Sequence, residues 1–418
     1  MGFVSIDKDV SLERYAMCRY LLNVPIDNKK YMINDSAYEI ITRLDGTRTY
    51  DELIKELACY YKDDEKHVEE TVKDLFAQLE NGFSIRIEHY NEKTPKKIEV
   101  TGEFCYYPKV AALEITEACN LKCIHCYGDF GSKACHAMKL EDIKKLMDDL
   151  DEMGITAIEL TGGDITTYPH LKEVIEYSLS KSFVKVNLLT NGVLLTEDIM
   201  RLVVENKERM AIQIDLHSLR DEYLLWFTKA SNTLDTIKSR IEFFSNHGVT
   251  MRVATIFTSR NIEEFEAIGE WVASRGITWG VGLVDRLGRA MGNDGELYLN
   301  APQMERFVVA LNKYSEKYPG TLSLIDYHPN DQNCGAMTSQ VVFNSRGEIK
   351  LCTMDNRSYF RNEMGNVFER KISDIYDDKI EVVKALTMYQ LPDNSSKECA
   401  ECGLFMQCSN CLLKNFST

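Results

Sequence analysis

The chain has 418 residues, 44% of them hydrophobic and 27% charged, with a formal net charge of −16. This length exceeds the usual span of one hydrophobic core and predicts two or three domains, in a balance typical of globular proteins. The acidity argues against nucleic acid, which needs a concentrated basic face. With no signal-like start and no uncharged apolar run of roughly 18 residues, the expectation is a cytoplasmic protein without a membrane span.

In chain order, residues 1–92 read as one unit. Short strand-like segments run to about Asn34, and Asp35 and Ser36 can cap a helix over SAYEIITRL that stops at Asp45-Gly46. Thr49 starts a second helix, YDELIKELACYY, with Leu53, Ile54 and Leu57 at helical spacing. HVEETVKDLFAQLE repeats the pattern with Val68, Val72, Leu75, Phe76 and Leu79. Residues 93–108, opening on a Pro95-Lys96-Lys97 stretch, read as a linker.

From 109 to 299 six apolar strands (VAALEIT, AIELT, VKVNLLT, AIQIDL, VATIFT, WGVGLV) alternate with amphipathic helices. Parallel βα units follow, as an open six-unit barrel or a doubly wound sheet, with function at the carboxyl ends of the strands in either case. Residues 300–418 change character: a helix (QMERFVVALNKYSEKY), a hairpin (QVVF, a turn at Asn344 to Gly347, EIKL) and a cysteine-rich tail. So small a module would lean on metal clusters for its stability.

Thirteen cysteines are too many for packing alone and sit in the wrong compartment for a disulfide framework, so metal or redox chemistry leads. Cys18, Cys59, Cys105 and Cys135 are scattered and read as ordinary thiols. Cys119, Cys123 and Cys126 form a CxxxCxxC triplet just after the first barrel strand. Three thiolates leave one iron of a [4Fe-4S] cluster open to chelate a small molecule. Zinc is the alternative and would need a fourth ligand such as His125. Gly162, Gly163 and Asp164 end the second strand: paired glycines let backbone approach a ligand, and a carboxylate there can accept from an ammonium group. Thr190, Asn191 and Gly192 end the third strand, and Asp215 the fourth. His217 reads as a loop histidine satisfied by backbone, and Gly288-Arg289-Ala290 as structural.

Over Ala111–Ala290 this arrangement resembles the radical S-adenosylmethionine (SAM) family, whose fold is an α/β, partial (β/α)6 TIM-like barrel. The resemblance implies that Cys119, Cys123 and Cys126 are catalytic and hold the cluster that binds SAM. It implies SAM contacts at His125, in the usually aromatic place beside adenine, and at Gly162, Gly163, Asp164, Thr190, Asn191, Asp215 and Lys229. Asp164 stands where the family usually has Glu, and Asp215 where many relatives have Ser.

The tail runs Cys334, twelve residues, Gly347, four residues, Cys352, then GNVFERKISDIYDD and CAECGLFMQCSNC. This resembles the SPASM extension. Its interleaved pattern implies one auxiliary cluster on Cys334, Cys352 and Cys411 and a second on Cys399, Cys402 and Cys408. The last pair is two residues apart with no cysteine after it, so six ligands serve two clusters that would want eight; Cys105 or Cys135 could complete them. An open auxiliary iron can bind and deprotonate a substrate thiol.

Residues 1–90, through YMINDSAYEIITRLDGTRTYDELIKELACYY and LFAQLENGFSI, resemble the RiPP recognition element, a small winged-helix-like domain. A leader peptide is then expected to add as a strand beside Lys29–Asn34 and rest on the third helix. Ten acidic against four basic residues between Asp51 and Glu80 disfavour the DNA-binding use of such a fold.

Together the resemblances imply a thioether-forming peptide maturase of the sactipeptide or ranthipeptide type, in which a 5'-deoxyadenosyl radical abstracts hydrogen from a ribosomal precursor peptide. Cofactors would be SAM and three [4Fe-4S] clusters. The leader would bind the amino-terminal domain, with a cysteine-containing core at the barrel and an external electron donor such as flavodoxin or ferredoxin. The alternatives are carbon-carbon crosslinking or another radical peptide oxidation, and a non-catalytic peptide-binding or iron-sensing protein.

Overall fold

The structure, a computed structural model, describes residues 2–387 except 8, 17–18, 25–28, 84, 103–106, 132–134, 293–294, 325–334 and 357–360. Cys18, Cys105, Cys334, Cys399, Cys402, Cys408 and Cys411 lie outside the described residues. The chain divides into two compact units, Met1–Tyr106 and Tyr107–Thr418.

The first unit contains β1 (Phe3–Ile6), β2 (Ser11–Ala16), β3 (Arg19–Val24), β4 (Lys29–Asn34), α1 (Asp35–Thr42), β5 (Asp45–Thr49), α2 (Tyr50–Tyr61), α3 (Glu65–Phe83), β6 (Ile87–Tyr90) and β7 (Glu99–Thr101). All three expected helices are present. Asn34, rather than Asp35 or Ser36, caps α1, its Oδ1 accepting from the Ala37 N–H at 2.9 Å. Thr49 and Glu52 form a reciprocal capping box on α2. Leu53, Leu57, Val72 and Leu79 bury the apolar faces of α2 and α3 against Leu12, Leu22 and Ile41. One sheet runs β5-β1-β6 and another β4-β3-β2-β7. β7 pairs in parallel with β2, so part of the stretch read as a linker is built into this sheet. β4 is one of the sheet's two edge strands, held on one side by β3 from Lys29↔Val24 to Asn34↔Arg19.

The second unit begins with six βα repeats: β8 (Val110–Thr116), α4 (Leu140–Glu152), β9 (Ala157–Gly162), α5 (Leu171–Leu179), β10 (Lys185–Thr190), α6 (Glu197–Glu205), β11 (Met210–Asp215), α7 (Asp221–Thr228), α8 (Leu234–Asn246), β12 (Thr250–Phe257), α9 (Phe265–Ala273) and β13 (Thr278–Leu283). β8 to β13 lie side by side in chain order, all parallel, with no reversal of the kind a doubly wound sheet requires. The barrel alternative is therefore the one realised. Along β10 and β11 the fully buried residues Val186, Leu188, Met210, Ile212 and Ile214 alternate with partly exposed Asn187, Leu189, Gln213 and Asp215. The first set packs under the helices and the second faces the barrel interior.

The sheet does not stop at β13. Helix α10 (Ala301–Lys317) leads to β14 (Leu322–Leu324), which pairs in parallel with β13. At the other end, β15 (Gln340–Phe343) pairs in parallel with β8 and turns through Asn344–Gly347 into antiparallel β16 (Ile349–Lys350). Helices α11 (Arg361–Met364), α12 (Ile372–Asp378) and α13 (Ile380–Thr387) follow. The hairpin expected from QVVF and EIKL is thus an extension of the barrel sheet, and among the described residues that sheet has nine strands. No helix among them is long and apolar enough to cross a membrane.

Candidate active site

The loop that follows β8 carries Cys119, Cys123 and Cys126 and is braced at both ends. The Lys122 and Ile124 N–H groups donate to the carbonyls of Thr228 and Phe227 at 2.9 Å each, and Gly131 N–H closes the loop on Glu117 O at 2.7 Å. Burial pushes the Cys119 thiol up to about 11 and the Cys123 thiol well above its ordinary value, with the neighbouring thiols of the triplet adding to both. Among the described residues no three His, Cys, Asp or Glu side chains already converge on a metal-holding point. The fit to an iron-sulfur cluster rests on the donor set: three mutually interacting thiols on one fixed loop, which a metal would deprotonate.

His125 lies flat on Phe227, with ring centroids 4.2 Å apart and planes 5° apart, and His217 meets it edge-on at 5.1 Å. Its Nδ1 is buried with no hydrogen-bond partner, an orphaned polar atom beside the triplet. Burial, with His217 next to it, holds its pKa well below the usual value, so the ring is neutral. His217 accepts the Ile256 N–H on Nδ1 at 3.2 Å and is held down to about 4 by burial, as expected of a histidine satisfied by backbone.

The loops after β9 and β10 close on the triplet loop. Gly162 has φ +139°, and a Cβ there would stand 2.3 Å from Thr116 O; one at Gly163 would stand 2.3 Å from Ala118 O. Gly163 N–H and Asp164 N–H donate to those same carbonyls at 2.7 and 2.8 Å. The close approach that the paired glycines permit is thus to the triplet loop's own backbone. Asp164 is 2% exposed, and its carboxylate accepts from the Thr166 N–H, the hydroxyls of Thr166 and Thr190, and the Asn191 N–H. Asn191 Nδ2 in turn donates to Asn120 Oδ1 at 2.8 Å and lies 4.0 Å from Cys119 Sγ.

Asp215, at the end of β11, is pushed up to about 7 by burial and by Asp164. Two residues below it, Gln213 Oε1 accepts from Arg252 Nε at 2.7 Å. Lys229 is exposed and caps α7 with φ +61°, directly after the two residues whose carbonyls hold the triplet loop.

Gly288-Arg289-Ala290 does more than the sequence suggested. Arg289 N–H donates to Cys126 O at 2.9 Å, its Nε to Cys123 O at 2.8 Å, and its Nη1 to Phe130 O and Asp129 Oδ1 at 2.8 Å each. Gly288 has φ +53°, and a Cβ would sit 2.3 Å from the carbonyls of both Cys126 and Tyr127. The segment clamps the triplet loop from a point some 160 residues away in sequence, a separation that pattern reading cannot bridge.

The β15–β16 hairpin reaches the same place. Lys350, 3% exposed at the side chain, pairs at 2.5 Å with Glu114 of β8, which is 4% exposed. Arg346 and Ser345 bond the Glu117 carboxylate, and Asn356 Nδ2 donates to Tyr127 O at 2.8 Å. Burial, together with Glu114, Cys126 and Cys352, pushes the Tyr127 phenol well up, so these groups share one locale. Cys352, partly buried, follows β16 by two residues, whereas Cys59 and Cys135 are exposed.

Three protein families match successive parts of the chain: coenzyme PQQ synthesis protein D (PqqD) over residues 21–82, the radical SAM superfamily over 113–272, and the SPASM iron-sulfur cluster-binding domain over 334–403. The chain is a radical SAM enzyme. Its cofactors are SAM and more than one iron-sulfur cluster. Among relatives, this radical SAM enzyme is 26% identical over 406 residues to the antilisterial bacteriocin subtilosin biosynthesis protein AlbA of Bacillus subtilis, covering 95% of this chain and 88% of that one. It is 22% identical over 343 residues to the mycofactocin maturase MftC of Mycolicibacterium smegmatis, covering 78% and 84%. In fold it resembles Streptococcus suis SuiB in complex with the precursor peptide SuiA, with a TM-score of 0.61 at 13% identity, covering 99% of this chain and 97% of that one.

Proposed function

We propose that this enzyme installs thioether crosslinks, from cysteine sulfur to carbon, in a ribosomally made precursor peptide. The observation that carries the reading is that Cys352, which the SPASM pattern assigns to an auxiliary cluster, follows a hairpin built into the barrel sheet, and that Asn356, four residues on, donates to the carbonyl of Tyr127, the neighbour of Cys126, at 2.8 Å. A substrate thiol held on an auxiliary iron there would lie near the carbon being activated. The relatedness to a bacteriocin biosynthesis protein and the PqqD-type domain favour a peptide substrate.

Cys119, Cys123 and Cys126 would hold the cluster that binds SAM, and SAM bound there supplies a 5'-deoxyadenosyl radical that takes a hydrogen atom from the peptide. His125 would offer its neutral ring, flat on Phe227, to the adenine. Gly162, Gly163, Thr190, Asn191 and Asp215 would line the remaining surface, with Lys229 at its rim and Asp164 acting from behind it. Cys334, Cys352 and Cys411 would hold one auxiliary cluster, and Cys399, Cys402 and Cys408 the other, for three [4Fe-4S] clusters in all. The free edge of β4 would take the leader as an added strand beside α3, and a flavodoxin or ferredoxin would supply electrons.

Anaerobic coexpression with a short cysteine-containing peptide from an open reading frame found beside this gene, followed by thiol alkylation and mass spectrometry, tests the reading. Each crosslinked cysteine resists alkylation and the peptide loses two hydrogens per crosslink. Hydrogen loss with every thiol still alkylated would instead refute the thioether and point to carbon-carbon crosslinking or another radical oxidation of the peptide.

A further inference from the structure

Asp164 has no capacity left for a ligand. Oδ1 accepts the Thr166 N–H at 2.9 Å, the Thr166 hydroxyl and the Thr190 hydroxyl at 3.1 Å; Oδ2 accepts the Thr190 hydroxyl at 2.9 Å and the Asn191 N–H at 2.7 Å. A carboxylate offers about four lone-pair sites, and these protein donors fill them. The chain of bonds continues away from Asp164. Asn191, 8% exposed, has its Oδ1 fixed by the Val193 N–H at 3.0 Å, while Nδ2 bonds Asn120 Oδ1 and reaches Cys119 Sγ. The loops after three successive strands, β8, β9 and β10, are joined through this path.

We infer that Asp164 is a positioning residue for the SAM-binding cluster: it fixes the backbone of Asn191, whose side-chain amide hydrogen-bonds the Cys119 sulfur and so sets the cluster's properties before SAM arrives. Hydrogen bonds to cluster sulfurs stabilise the more negative, reduced state and raise the reduction potential. Removing this one lowers it. The inference rests on the assignment of Cys119, Cys123 and Cys126 to a cluster and on none of the reading that concerns the peptide.

The test uses the full-length protein, reconstituted anaerobically with iron and sulfide. Asp164→Asn presents an amide nitrogen to the donors now met by oxygen, and Asn191→Ala removes the contact to Cys119 itself. Electron paramagnetic resonance of the reduced triplet cluster, taken as the difference from the C119A/C123A/C126A variant, is recorded first without SAM and then with it, alongside the midpoint potential. Both variants are expected to change the SAM-free signal and move the midpoint to lower potential, and the double variant to go no further than the larger single effect. An unchanged SAM-free signal in Asp164→Asn, with only the response to SAM weakened, would make Asp164 a direct SAM ligand and overturn the inference. If circular dichroism shows that Asp164→Asn does not fold, an unchanged SAM-free signal in Asn191→Ala overturns it equally. Wild-type protein without iron on the triplet would instead refute the cluster assignment, a separate result.

Discussion

Lys350→Met breaks a buried ion pair that ties the hairpin to the barrel. With both side chains nearly inaccessible and Nζ 2.5 Å from Glu114 Oε1, removing the ammonium leaves a carboxylate uncompensated inside the protein, a loss of about 3–5 kcal/mol. Burial already pushes the Glu114 carboxyl above its ordinary value, and Lys350 is the main group pulling it back. In the variant it rises further. The folded state then holds its proton over a window that opens at the unfolded value of about 4.3, so the penalty is small at the acid end and grows as pH rises through that window. Native-state hydrogen exchange at the β8 and β15 amides reads the effect locally, and 3–5 kcal/mol corresponds to roughly 100- to 5,000-fold faster exchange at pH 8 after correction for the intrinsic rate. The difference from wild type should shrink at pH 5.5. Adding Glu114→Gln should recover most of the loss, because neither position then holds a charge. An increase below threefold at pH 8, or one equally large at pH 5.5, would refute the view that charge pairing latches the hairpin.

Gly288→Ala forces a Cβ against the carbonyls of Cys126 and Tyr127 at a positive φ, so the triplet should lose iron in anaerobic metal analysis while iron bound elsewhere is retained. Arg289→Lys keeps the charge but cannot span Cys123 O, Phe130 O and Asp129 together; iron release to a chelator from the triplet should be at least tenfold faster, from the loss of about 1.5–3 kcal/mol per charge-assisted bond. The Asp215 carboxyl, raised to about 7, stabilises the fold in its neutral form, and that contribution is lost as pH rises from the unfolded value through about 7. Asp215→Asn should therefore show a smaller fall in melting temperature between pH 6 and pH 8 than the wild type, measured by anaerobic scanning fluorimetry. Thr49→Ala removes the hydroxyl arm of the capping box, leaving the Glu52 carboxylate on the backbone N–H of residue 49, and should cost about 1 kcal/mol, seen as faster amide exchange in the first turn of α2.

The six barrel strands were legible because each is a short apolar run followed by a helical period, and Cys119, Gly162, Thr190 and Asp215 fell at strand ends for the same reason. What the sequence hid is non-local. Lys350 in EIKL reads as an ordinary alternating surface lysine, yet its partner lies 236 residues earlier. Glu114 held the better signal, since a carboxylate within the apolar run VAALEIT must find a buried cation, but nothing local says which one. Asp164 shows a subtler limit. Its type and place suggested a ligand for an ammonium group, and only the geometry reveals that four protein donors claim it first. At α1 the competition was between adjacent residues: Asn34, Asp35 and Ser36 are all good caps, and the strand register of β4 through Asn34 decides among them.

β8 is the common reference for both iron-binding regions. Its carboxyl end launches the triplet loop, while β15 lies beside it in fixed register, Val341 against Ala111 and Phe343 against Leu113. A one-residue slip would turn Val342 and Lys350 to the opposite face and separate Lys350 from Glu114. The buried pair therefore fixes the register of β15 and β16 against β8, and with it the point at which the segment carrying Cys352 leaves the sheet. Hydrophobic replacement of both charges could match the stability without selecting that register. The pair's contribution is then one of position more than of energy, and, under the proposed activity, a doubly neutral variant that folds well but modifies the wrong residue of its peptide would be its signature.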